Sequence, residues 1–128
     1  MKANIATEAQ EQTALFDWAR WASGKHPELN LLFHIPNGGS RNEIEAHNLR
    51  LQGVRPGVPD ICLPVPRLPY HGLFIELKRR QGGRTSEEQR AWIYCLNKNG
   101  YRAVVCKGWD ETRAEIERYL GHGSVERG

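Results

Sequence analysis

Three stretches of the chain carry residue types that do chemistry together: Gly57-Val58-Pro59-Asp60, Ile75-Glu76-Leu77-Lys78 and, further on, Gln89. Asp60 follows a turn and opens one apolar run. Sixteen positions later Glu76 and Lys78 stand in a second, Leu73-Phe74-Ile75-Glu76-Leu77-Lys78. In a strand, side chains two apart share a face, so Glu76 and Lys78 project together while Ile75 and Leu77 enter the opposite layer. Two carboxylates and an amine are what metal-assisted phosphodiester hydrolysis requires. The carboxylates hold a hard divalent cation, and the amine orients or polarises an attacking water. A plain Glu76–Lys78 ion pair is the alternative, although an apolar strand rarely carries a carboxylate without a reason.

The surroundings extend this pattern. Lys78, Arg79, Arg80 and Arg84 fall within seven residues, a basic stretch suited to holding a polyanion against a metal, or else a solvated strand end. Asn37-Gly38-Gly39-Ser40-Arg41 is either an ordinary turn or a loop that grips a phosphate through its backbone N–H groups and Arg41. Gln89 is three residues after Ser86, as in a helix capping box, and is also a candidate for the site. Glu8 and Glu11 both bring a carboxylate to the start of the first predicted helix, where the helix dipole alone favours acid. His34 either faces the site or is structural. The four tryptophans read mostly as core, with Trp21 a candidate for a subunit interface.

The elements that must position these residues follow from periodicity and punctuation. Thr7 and Gln10 form a capping box, and Leu15, Trp18, Ala19 and Ala22 share one face, predicting a helix over 7–23. A short strand over 31–35 and a helix over 42–52 follow, the latter with Ile44, Leu49 and Leu51 as its apolar positions. A strand over 60–63 is separated by a proline-rich extended connector from a strand over 73–79, antiparallel to it. Ser86 and Gln89 start a helix to about 99, with Trp92, Ile93 and Leu96 inward. A strand over 101–107 and a last helix to about 120, capped by Asp110, complete the order αβαββαβα. The fold class is α/β, with a small mixed central sheet flanked by helices.

Composition bounds the rest. The 128 residues suit one domain, taken as 1–120 with a disordered tail over 121–128. The 39% hydrophobic and 26% charged fractions are those of a globular protein. No apolar run approaches the ~20 residues that span a bilayer, and the polar N-terminus lacks a signal-peptide core. Three cysteines, Cys62, Cys95 and Cys106, sit in apolar contexts and read as buried free thiols of a reducing cytoplasm. Their spacing does not suit zinc.

Taken in order, Glu8, Gly57-Val58-Pro59-Asp60, Glu76-Leu77-Lys78 and Ser86-Glu87-Glu88-Gln89 resemble the PD-(D/E)xK nuclease superfamily. More narrowly they resemble the VRR-NUC family, whose small stand-alone members are common in phages. The likeness runs from Thr7 to about Leu120 and includes Gln12 and Trp18 on the first helix and the Gly-rich loop after Lys78. It implies a restriction-endonuclease-like core and a set of roles. Asp60, Glu76 and the Leu77 carbonyl would ligate Mg²⁺ or Mn²⁺. Glu8 would bring a further carboxylate, matching the Glu-x-x-x-Gln pattern better than Glu11. Lys78 would position the nucleophilic water, and Gln89 would orient Lys78 or a water. Arg41, Arg79, Arg80 and Arg84 are the candidate DNA contacts.

The function these features imply is a metal-dependent DNA endonuclease in the cytoplasm (a bacterial host's, if phage-encoded). By the same resemblance it acts on branched DNA such as a Holliday junction, as a homodimer whose paired sites cut two strands symmetrically. The competing readings are a non-catalytic nucleic-acid-binding module of the same fold, a nuclease that takes its specificity from a partner, and a metal-dependent phosphatase. The intact acidic set argues against the first. The basic rim, in place of a closed small-molecule pocket, argues against the last.

Overall fold

A computed structural model of the chain describes residues 4–36 and 42–124. Its centre is a four-stranded sheet in the order β1-β2-β4-β5, formed by Phe33–His34 (β1), Ile61–Leu63 (β2), Leu73–Lys78 (β4) and Arg102–Lys107 (β5). β1 and β4 run antiparallel to β2, and β5 runs parallel to β4. Helix α3 (Glu87–Lys98) makes the crossover from β4 to β5. The mixed α/β architecture and the predicted order of elements are both present.

Helices α1 (Glu8–Ala22) and α4 (Trp109–Leu120) cover one face of the sheet. Leu15, Trp18, Ala19 and Ala22 of α1 and Ile116 and Tyr119 of α4 close on Ile61, Leu63, Leu73, Ile75 and Leu77. Each aliphatic side chain buried there contributes roughly 1.5–3 kcal/mol. The alternation of β4 sends Ile75 and Leu77 into this layer and Glu76 and Lys78 toward α3. α2 (Glu43–Leu51), N-capped by Asn42, buries no residue; Ile44 and Leu51 are exposed.

The structure departs from the sequence reading in five places. The strand expected over 31–35 shrinks to Phe33–His34, because Pro27–Leu31 forms a 3₁₀ turn that Pro27 starts. The proline-rich connector contains a two-residue strand, Arg67–Leu68 (β3), paired with Gly123–Ser124 (β6). Arg67 is anchored there by the carbonyls of Leu120 (3.2 Å) and Pro66 (2.9 Å) and by Glu28. Part of the expected tail is therefore ordered by pairing; residues 125–128 lie outside the described ones. The N-cap of α4 is Gly108, at φ +82°, and not Asp110. Trp92, Ile93 and Leu96 are only half-buried, and Cys95 is exposed rather than buried. α3 presents one end to the site and packs lightly along its length.

Candidate active site

The β2–β4 ladder pairs Ile61 with Ile75, so one further step sets Asp60 opposite Glu76. Asp60 Oδ2 accepts a hydrogen bond from the Leu77 N–H at 2.9 Å. Its main-chain carbonyl is held by the Ile35 N–H (2.6 Å) and lies 3.0 Å from His34 Nδ1. Two strands thereby fix Asp60 at its backbone and at its carboxylate.

Glu76 and Lys78 are 2% and 6% exposed. Gln89 bridges them. Its Nε2 donates to Glu76 Oε2 at 2.9 Å, and its Oε1 accepts from Lys78 Nζ at 3.0 Å. The same Oε1 accepts from the Ser86 N–H at 2.8 Å, while Ser86 Oγ accepts from the Gln89 N–H. The two readings of Gln89 coexist: one side chain closes the capping box of α3 and ties the helix to the site. Lys78 Nζ is also 3.3 Å from Glu76 Oε2.

The loop before Asp60 is locked against the same helix start. Gly57 adopts φ +90°, and a Cβ there would fall 2.5 Å from the Glu88 carbonyl carbon and 2.6 Å from its Cβ. Only glycine combines that conformation with that approach.

Glu76 is out of electrostatic balance with this setting. Burial, followed by the charge of neighbouring Asp60, pushes its carboxyl up to about 8, with Lys78 pulling the other way. Its Oε1 is buried and has no hydrogen-bond partner among the described residues. An unpartnered carboxylate oxygen beside a second carboxylate is costly unless a proton or a cation compensates it. The donor set is oxygen only, which suits a hard divalent cation. With two carboxylates and a carbonyl, Mg²⁺ would keep several of its waters. Asp60, Glu76 and the Leu77 carbonyl therefore fit such an ion. Among the described residues no three His, Cys, Asp or Glu side chains gather as a metal cluster.

The other predicted residues divide. Glu8 is exposed in the first turn of α1; among the described residues its side chain has no hydrogen-bond or ion-pair partner and is not gathered with Asp60 and Glu76. Glu11 is 2% exposed and fully engaged: Oε1 accepts from the Trp109 N–H at 2.9 Å and Oε2 from Arg80 Nε at 3.0 Å. It caps α4 from 98 residues away in sequence, a role that local spacing cannot reveal. Arg80 is turned to Glu11 and, at 2.8 Å, to Asp110. It joins α1 to α4 while its side chain stays 45% exposed. Arg79 and Arg84 remain exposed beside the site. Arg41 and the loop 37–41 lie outside the described residues. The sequence reading passed over Arg55, an exposed cation on the loop between α2 and Asp60; its position just before Pro56-Gly57 was the available signal.

A small mixed sheet between helices, with an aspartate at the head of one strand and Glu-x-Lys on the next, defines a restriction-endonuclease-like fold. A solved structure described as a VRR_NUC domain protein is 32% identical to the chain, covering 97% of this chain and 94% of that one with a TM-score of 0.83. The VRR-NUC domain model matches residues 3–110. The chain belongs to the VRR-NUC family, whose members are generally nucleases. No curated protein is significantly similar to it. Among the described residues no helix is long and apolar enough to cross a membrane.

Proposed function

We propose that the protein is a DNA endonuclease dependent on Mg²⁺ or Mn²⁺. The observation that carries the proposal is the buried, partnerless Oε1 of Glu76 beside Asp60. Asp60, Glu76 and the Leu77 carbonyl would hold the cation, which would supply activation of a water and screening of charge on the scissile phosphate. Lys78, held by Gln89, directs its ammonium to the attacking water and to the phosphate oxygen that gains charge. Glu8, whose side chain has no partner among the described residues, would bring a further carboxylate. Arg79, Arg84 and Arg55 form the exposed basic rim for the DNA backbone. The family likeness supports branched DNA such as a Holliday junction as substrate. It also supports a homodimer, and Trp21, 81% exposed at the end of α1, is an apolar surface that a second copy would cover.

The test is a cleavage assay on a four-way junction, a flap, single strands and plain duplex, with each metal and with Glu76→Gln as control. Metal-dependent cutting that favours a branched substrate and falls at least about 100-fold in Glu76→Gln is the expected result. Equal cutting by that variant overturns the site. Binding without cutting moves the protein to the binding-module reading or to a nuclease awaiting a partner.

A further inference from the structure

A second concave feature adjoins the site. Gln12, Thr13, Phe16 and Arg20 of α1 and His34 of β1 line an open groove of about 310 Å³. Gln12, Phe16 and Arg20 recur at four-residue spacing and so form one stripe of the helix. The His34 wall touches the catalytic region directly, because His34 Nδ1 is 3.0 Å from the main-chain carbonyl of Asp60. We propose that this groove holds one unpaired nucleotide of the substrate strand beside the scissile phosphate, a reading that rests on the nuclease assignment and names what the enzyme selects.

The chemistry of the lining matches that ligand. Phe16, packed only partly into the core, offers an aromatic face on which any base stacks, which makes recognition tolerant of sequence. Arg20 supplies nitrogen donors for a phosphate or sugar oxygen, and His34, whose Nδ1 proton goes to the Asp60 carbonyl, presents Nε2 of the neutral ring as an acceptor. Gln12 and Thr13 carry both donors and acceptors for a base edge. Arg20 is shared with Asp17 in an exposed i,i+3 pair, which competes weakly and leaves other guanidinium donors available. A volume of this size takes one nucleotide and not a duplex. A base must leave its stack before Phe16 can meet its face. Branch points and single-stranded ends supply such nucleotides.

The test is amide chemical-shift mapping of the metal-free protein titrated with tetrathymidylate and, in parallel, with an abasic tetramer of equal charge. The expected result is shifts at Gln12, Thr13, Phe16, Arg20 and His34 with tetrathymidylate, and binding roughly tenfold weaker for the abasic tetramer, the loss of one stacked base. Thr13→Tyr, at an exposed helix position, fills the groove and removes those shifts without touching the core. Phe16→Leu keeps an apolar side chain, loses the aromatic face and weakens binding by a similar factor. Equal binding of the two tetramers, shifts confined to other surfaces, or an unaffected Thr13→Tyr variant overturns the proposal. Because no metal is present, a failure here is distinct from a failure of the cleavage assay.

Discussion

At the scale of single residues, two glutamates one turn apart have opposite fates. Glu11 is sealed between Arg80 and the first N–H of α4, while the Glu8 side chain stands in the open with no partner among the described residues. Removing the first leaves the helix-terminal N–H of half-buried Trp109 without its acceptor and Arg80 with Asp110 alone. Glu11→Ala is expected to cost about 1–3 kcal/mol, the penalty of the unpaired N–H, whereas Glu8→Gln changes stability by less than about 0.5 kcal/mol. Denaturant melts of the two variants separate them, and a large loss for Glu8→Gln would contradict its free state. Gln89 makes a related point. A capping box accepts Glu as readily as Gln, yet here only an amide can donate to Glu76 and accept from Lys78 with one side chain. The residue type at the helix start is set by the site.

At the scale of elements, legibility followed the range of the signal. α1 and α3 begin where their capping boxes place them, because Thr7 with Gln10 and Ser86 with Gln89 are local pairs. Asp60, Glu76, Lys78 and Gln89 were legible too, since strand alternation and order along the chain carry that information. The start of α4 was not. Asp110 looked like its cap, but Gly108 takes that position and Glu11 satisfies the Trp109 N–H from another helix. The β3–β6 pairing was hidden for the same reason, since its two strands are remote in sequence and only two residues long. Gly57 is where loop and helix are joined. Gly57→Ala combines a strained φ with a backbone clash and is expected to destabilise by about 2 kcal/mol or more. It also moves the first turn of α3 away from Lys78. Urea denaturation reads the first effect, and an unchanged midpoint would show that the loop can yield.

At the scale of the whole molecule, the three thiols report how completely the fold closes. Burial pushes Cys62 up to about 11 and Cys106 up to about 12, while Cys95 lies exposed on α3. A thiol reagent at neutral pH is expected to modify one cysteine quickly in the native protein and all three in denaturant. Rapid native modification of two or three would mean that the sheet opens far more often than its packing suggests.

The match to the VRR-NUC domain model ends at residue 110, yet Ile116 and Tyr119, both fully buried, come after it. Tyr119 donates its hydroxyl proton to the Val65 carbonyl at 2.6 Å, and beyond it the chain returns to pair with Arg67–Leu68. The minimal folding unit is therefore longer than the span that the domain model matches. A fragment trimmed to that segment would keep every proposed ligand and lose one wall of the core that holds them in place.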